Sequence, residues 1–299
     1  MKENKIAVIG LSGESIFMKM DHFNNEGETV FADTYHVEYG GKGYNQAVAA
    51  KRFGTNVSFL TVCGDDEIAK KVKLSLDKEG INSKVILKEN AKSASACILI
   101  DKEGRNRVIV YPGISSQMTK EDVYSFEEEI KSSKYLLLQL ETSDEALLTA
   151  IELANKHNTL VILNPAPAKY LPESVLNSVY LLTPNEQEAC VLFNGKDISK
   201  VNFENVIITK GEDGVILKEK SSIFNFPAMK VTPLNTTGAG DTFNGILAAS
   251  LVSGYSMEES VKIASVGASL SVTKEFVIDS IPYKEQVLDA YNTYLIKKE

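Results

Sequence analysis

Short apolar runs alternate with amphipathic stretches along most of the chain. Ile6 to Ile9, Val57 to Val62, Tyr135 to Leu138, Leu160 to Leu163, Val179 to Leu182 and Val206 to Thr209 are nearly continuous Leu/Ile/Val segments, the pattern of strands buried on both faces. Helical periodicity fills the gaps: Glu67 to Lys78, Thr119 to Lys131 with Thr119 as N-cap and Asp122 three residues on, Ser143 to His157, and Glu186 to Phe193. Gly240 to Ser253, Ser256 to Thr273 and Tyr283 to Lys297 add three helices that would close one face. This rhythm predicts an α/β fold, a doubly wound parallel sheet with helices on both faces. Ligands of such sheets gather beyond the carboxyl ends of the strands, where Glu141, Asn164, Asn185 and Lys210 stand.

The early chain reads differently. Ser15 to Phe23 and Val30 to Tyr39 alternate (Ile16, Met18, Met20; Val30, Ala32, Thr34), as strands do when one face is covered and the other wet. Val85 to Leu87 is a further strand, and Ala94 to Asp101 and Arg107 to Tyr111 pair through the turn Lys102 to Arg105. A small sheet with an apolar face suggests a flap over a site or a dimer surface.

Composition narrows the function. With 299 residues, 43% of them hydrophobic, the chain has room for one large α/β domain or one domain with a small appendage. A net charge of −8 without a basic block argues against nucleic acid or anionic membrane as a partner. No stretch approaches the ~18 consecutive apolar residues of a membrane span, and Met1 to Lys5 leads straight into a strand without a signal-type apolar region, so a cytoplasmic protein is expected. Cys63, Cys97 and Cys190 are odd in number and far apart, as buried free thiols are. His22, His36 and His157 lack metal-ligand spacing and stand near no serine or cysteine nucleophile, which disfavours hydrolase and zinc chemistry.

Candidate chemistry concentrates in Asn235-Thr236-Thr237-Gly238-Ala239-Gly240-Asp241-Thr242-Phe243-Asn244-Gly245. Polar turn residues give way to spaced glycines and then to an apolar helix, so unpaired N–H groups at the helix start are open to an anion such as phosphate. Asp241 falls in the first helical turn, placed to take a proton from an alcohol while the amides hold a transferring phosphoryl group. An ordinary capped helix with a glycine-rich approach would carry the same residues. The spacing is neither the GxGxxG of dinucleotide folds nor a P-loop. A second glycine-opened helix, Gly40-Gly41-Lys42-Gly43-Tyr44-Asn45 running on to Gly54, adds an amide suited to sugar hydroxyls. Thr209-Lys210-Gly211 is either a phosphate contact or a plain hairpin turn.

With these stretches, Asn185-Glu186-Gln187-Glu188, Leu163 to Ala168 and Leu182 to Glu186 in view, the sequence resembles the ribokinase or PfkB family of carbohydrate kinases over essentially its whole length. The resemblance implies a single ribokinase-like domain with a lid from about 12–40 and 94–111, often a dimer clasp in relatives, and ATP with Mg²⁺ as cofactors. It implies Asp241 as base with the amides of Gly238, Ala239 and Gly240 as anion hole, and Gly41, Lys42, Gly43, Asn45 and Glu141 facing the acceptor. Asn185, Thr209, Lys210, Gly211, Gly214, Gly240 and Ser265 would lie along ATP, with Asn185 and Glu188 positioning Mg²⁺, largely through water.

Departures bear on the substrate. Gly13 and Ser15 stand where ribokinases carry an Asn and a sugar-gripping Asp; Glu14 and Asp21 are the nearby carboxylates that could substitute. Tyr44 replaces a small residue and would narrow the acceptor pocket or stack on a ring, which keeps a nucleoside kinase open as an alternative to a sugar kinase; a catalytically idle sugar-binding relative is the rival from another class. Asn235 stands where K⁺-activated members have an aspartate and Phe276 where a glycine is common. Both departures weaken a monovalent-cation site drawn from Asn235, Thr237, Ser271, Lys274, Phe276 and Ser280, and leave K⁺ activation open.

Overall fold

A computed structural model describes residues 2–296, so Met1 and Lys297, the last residue of the expected final helix, lie outside the described residues. Thirteen strands among the described residues divide into two sheets. The larger is built from β1 (Glu3–Ile9), β4 (Asn56–Gly64), β5 (Asn82–Lys88), β8 (Ser133–Leu138), β9 (Leu160–Leu163), β10 (Leu181–Leu182), β11 (Asn205–Thr209), β12 (Val215–Glu219) and β13 (Ser222–Phe226). Their order is β13-β12-β11-β10-β9-β8-β1-β4-β5, parallel from β11 through β5, with β12 and β13 added antiparallel at one edge. The apolar runs end up here because a parallel strand covered on both faces has no wet side to fill. Two buried clusters lie on the sheet's faces, one around Ile6, Val8, Phe59 and Leu137, the other around Ala7, Ile9, Leu60 and Leu138. Alternate residues of one strand feed opposite clusters.

The second sheet runs in the order β3 (Ala32–Gly40), β2 (Gly13–Met20), β6 (Ala94–Ile100), β7 (Asn106–Tyr111), a separate four-stranded sheet that fits a lid. Its phase corrects the expected alternation. Phe17, not Ile16 or Met18, is fully covered, packing with Ile98 and Val277. Ile16 and Met18 are half-buried on the outer face with Val37, Cys97 and Leu99, where Ile109 and Tyr35 are 66% exposed. Met20 is buried as expected, next to a register shift that skips Asp33 of β3. The sheet is apolar on both sides.

Other boundaries move for local reasons. The expected helix Thr119 to Lys131 is two, Lys120–Tyr124 with a Thr119–Asp122 capping box and Glu127–Ser132, broken where Phe126 turns into the core. A short helix, Glu173–Leu176, was not foreseen. The helix Ala239–Val252 is buried almost all round between the helices Lys42–Arg52 and Met257–Ser271. Gly245 permits this: a Cβ there would stand 2.5 Å from that of Ala49, so the two helices cross in contact. Among the described residues no helix is long and apolar enough to cross a membrane.

Candidate active site

Both glycine-opened helices begin at the carboxyl end of the large sheet. Gly238 caps the helix Ala239–Val252 with φ 79°, a left-handed conformation that favours glycine, and a Cβ there would also meet Val277 Cγ1 at 2.5 Å. Ala239 N–H turns onto Thr236 O at 3.3 Å. The N–H groups of Gly238, Gly240 and Asp241 meet no protein acceptor among the described residues, so the open donors are these three rather than the Gly238–Gly240 trio expected.

Asp241 is 93% covered, and both its oxygens are held from the other helix: Asn45 Nδ2 donates to Oδ2 at 2.9 Å and Gln46 Nε2 to Oδ1 at 3.0 Å. Gln46 Nε2 also faces Asn164 Oδ1 at 3.1 Å, and Gln139 Nε2 donates to Gln46 Oε1 at 2.6 Å. Asn164 Nδ2 reaches Thr183 O, Thr183 Oγ1 pairs with Asn244 Oδ1, and Asn244 Nδ2 donates to Gly240 O, so the chain of bonds returns to the anion loop. Gln139, Asn164 and Thr183 each follow the last residue of β8, β9 and β10. A buried network with its members paired in this way fixes the carboxylate's orientation. Gln46 and Gln139 escaped the sequence reading; a glutamine inside the alanine-rich helix was the available signal.

On the acceptor side, Lys42 N–H donates to Glu141 Oε2 at 2.9 Å. The Lys42 ammonium is pushed above its usual pKa, first by Asp241 and further by Glu141 and Glu188, against the cost of burial. Burial raises the Glu141 carboxyl to about 7, with Lys42 opposing the shift. Asn45 Oδ1 is buried without a partner among the described residues, and both it and Ser15 Oγ stand just over 3 Å from where a Gly40 Cβ would be. An unpaired buried acceptor beside a hydroxyl is a place prepared for a ligand O–H.

Three expectations about the acceptor pocket fail here. Tyr44 is fully buried in the core with its hydroxyl 2.6 Å from Ser75 Oγ, since one helical step of about 100° turns it away from Asn45. Glu14 alternates onto the face opposite Ser15 and pairs with Tyr39 and Ser95. Asp21 lies past the end of β2, exposed and bound to Lys102 and His22.

A cleft of about 730 Å³ runs from the β11–β12 turn to the anion loop. Thr209, Gly211, Gly214, Gly240 and Ser265 line it with Phe243, Ala268 and Val272, as does the segment from Ala228 to Pro233, which has no sequence signature and was missed. Lys210 does not line it; its ammonium faces Glu186 at 3.5 Å. Asn185 is also outside the lining: it and Glu188 cap the helix Glu186–Leu192 reciprocally, each backbone N–H donating to the other's side chain at 2.8 Å.

That capping leaves Glu188 Oε1 without a partner among the described residues, in a buried carboxylate raised by desolvation and close enough to Lys42 and Asp241 to feel both charges. That free hard oxygen is of the kind that holds a divalent cation through its waters, as Mg²⁺ is held. The stretches expected around a monovalent cation are bonded internally. Asn235 Nδ2 donates to Glu275 O at 2.6 Å, Asn235 Oδ1 accepts from Thr237 N–H, and Lys274 Nζ lies 3.1 Å from Asp279 O. The Ser271 and Ser280 hydroxyls donate to Ala268 O and Val277 O, and the Phe276 ring stacks on His36 at 3.7 Å. Amide and ammonium donors thus meet the carbonyls of Glu275 and Asp279.

The sequence profile described as "pfkB family carbohydrate kinase" matches residues 3–284. A ribokinase of Haemophilus influenzae is 33% identical over 298 residues, covering 95% of this chain and 97% of its own. A deoxyribokinase of Salmonella typhi is 32% identical, covering 98% and 99%. The structure of Arabidopsis thaliana ribokinase complexed with ribose and ATP superposes with a TM-score of 0.85 at 25% identity, covering 97% of this chain and 99% of that one.

Proposed function

The chain belongs to the pfkB family of carbohydrate kinases and is an ATP-dependent sugar kinase, and from that premise we propose that it phosphorylates a hydroxymethyl group of a small sugar of the pentose class. The observation that carries this reading is the buried Asp241 carboxylate, fixed by Asn45 and Gln46 beside the open amides of Gly238 and Gly240. The acceptor's hydroxyl oxygen attacks the γ-phosphorus, its proton passes to Asp241, and the bond to the β–γ bridging oxygen breaks to release ADP. The amides hold the charge of the migrating group. Mg²⁺, held through Glu188 and Asn185 by way of water, would neutralise phosphate charge. ATP would lie in the cleft lined by Thr209, Gly211, Gly214 and Ser265, and the acceptor against Gly41, Lys42, Gly43, Asn45 and Glu141. Supply of ATP makes the cytoplasm the place of action.

Ser15 in place of a carboxylate offers one hydroxyl where two sugar hydroxyls would be gripped, so loss of one sugar hydroxyl costs less here. A phosphorylation screen over ribose, 2-deoxyribose, fructose, tagatose-type sugars and nucleosides tests the reading. Turnover of a pentose with ADP formation is expected; turnover of nucleosides alone, or of nothing, would overturn it. The nucleoside alternative loses its main support with Tyr44 in the core.

Glu141 supplies a pH signature. At pH 6 its carboxyl is mostly protonated and at pH 8 mostly ionised, and the ionised form is the better acceptor for sugar O–H groups. The acceptor KM should therefore fall roughly fivefold from pH 6 to pH 8 and level off above the transition near 7. Steady-state KM profiles check this: Glu141→Gln should flatten that limb.

The outer face of the small sheet, with Ile16, Met18 and the exposed Ile109 and Tyr35, would serve as a dimer clasp while the inner face acts as lid. Light scattering should give twice the chain mass at micromolar concentration. Ile109→Asp should weaken association by about 100-fold or more, since the charge would be buried unpaired.

A further inference from the structure

The small sheet carries a carboxylate that none of the chemistry above uses. Glu38 on β3 is 7% exposed and sits directly across from Ser15 on the inner face of the sheet. It does not turn toward the acceptor site. Its Oε2 accepts from Val277 N–H at 3.0 Å and its Oε1 from Ile278 N–H at 3.1 Å, both bonds spanning more than 200 residues of sequence. Those amides open the turn Ile278–Ser280, which has no side-chain cap of its own. A carboxylate there satisfies orphan donors and the partial positive charge they carry.

The same loop is gripped by the sheet at three further points. Phe276 stacks on His36 at 3.7 Å and meets Phe17 edge-on at 5.7 Å; Val277 packs with Phe17 and Ile98; Lys19 pairs with Glu275 at 2.6 Å. On its other side the loop backs the anion site. Val277 Cγ1 lies against Gly238 so closely that no Cβ would fit between them, and Glu275 O receives the Asn235 amide. Asn106, on β7 of the small sheet, reaches Thr237 at 3.5 Å. Glu38 and the open amide of Gly238 are thus joined through one residue, Val277.

We propose that Glu38 is a positioning residue: from the lid it caps the 277–280 turn and thereby sets Gly238, and with it the phosphate-holding amides, for transfer. The loop is then ordered by the lid as well as by the Asn235 and Lys274 bonds to the carbonyls of Glu275 and Asp279. The catalytic consequence rests on the kinase reading given above; the capping does not.

Glu38→Gln keeps the size but turns an amide N–H₂ toward one of the two backbone donors. Hydrogen exchange without substrate should speed up by about tenfold or more at Val277 and Ile278, and behind them at Thr242, whose N–H donates to Gly238 O at 2.9 Å. In turnover, kcat should fall by about tenfold or more while acceptor KM stays within about twofold and Tm changes little. Should Glu38→Gln fail to fold, Phe276→Ala removes the stack without leaving a buried charge alone and should give the same pattern. Unchanged exchange at 277, 278 and 242 overturns the proposal. So does a raised acceptor KM with intact kcat, which would make Glu38 a substrate contact, or a fall in Tm with kcat per folded molecule unaltered. If the wild-type protein phosphorylates no acceptor, the kinase reading fails and the exchange arm still decides whether Glu38 holds the loop and the amide behind it.

Discussion

Asp241→Asn should lower kcat by roughly 10²- to 10⁴-fold, the usual contribution of a positioned general base. The substitution is nearly isosteric, but it removes the proton acceptor and sets an N–H₂ against one of the two amide donors now facing the carboxylate, Asn45 Nδ2 or Gln46 Nε2. ATP should still bind, because the cleft from Thr209 to Ser265 does not depend on that side chain. Single-turnover rates with the best acceptor, beside ATP affinity by calorimetry, separate the two effects. A variant turning over at near wild-type rate would remove Asp241 from the chemistry. Equal loss of ATP binding and rate would make its role structural.

Gly43→Ala should be strongly damaging for a single-methyl change. Gly43 faces Gly10 at the end of β1, and an added Cβ would stand 2.6 Å from Gly10 Cα and 2.9 Å from its carbonyl carbon. Backbone cannot retreat as a side-chain tip can, so β1 or the helix start must shift. Overpacking of this kind costs about 1–3 kcal/mol, or roughly 2–5 °C in Tm for a chain of this size. The shift falls on Lys42 and Asn45, so kcat/KM should drop further than stability alone explains. Thermal melts and kinetics on the same preparation check both; an unchanged Tm would mean the strand and helix have slack.

How much of this was legible in the sequence depends on whether the relevant residues are neighbours. The anion loop and its carboxylate sit within four residues, and the glycines announce both helix starts, so Gly238 to Asp241 and Gly41 to Asn45 could be read directly. The parallel sheet was equally plain, since a strand buried on two faces needs an unbroken apolar run. What failed was phase. Tyr44 lies between two site residues, yet helical rotation sends it into the core. Glu14 lies beside Ser15, yet the pleat sends it to the other face. The small sheet is apolar on both sides, so alternation could not tell which of Ile16 and Phe17 faces the large domain. Glu38 gave no signal, because its partners Val277 and Ile278 are brought to it only by the fold.

The amide pair that fixes Asp241 comes from the helix whose first turn also carries Lys42, and Gly245 lets that helix lie directly on the one bearing Asp241. The proposed base and acceptor cradle are therefore tied to one pair of tightly packed helices. On the kinase reading, the breathing that admits the acceptor is expected in the sheet of β2, β3, β6 and β7 rather than between these two helices.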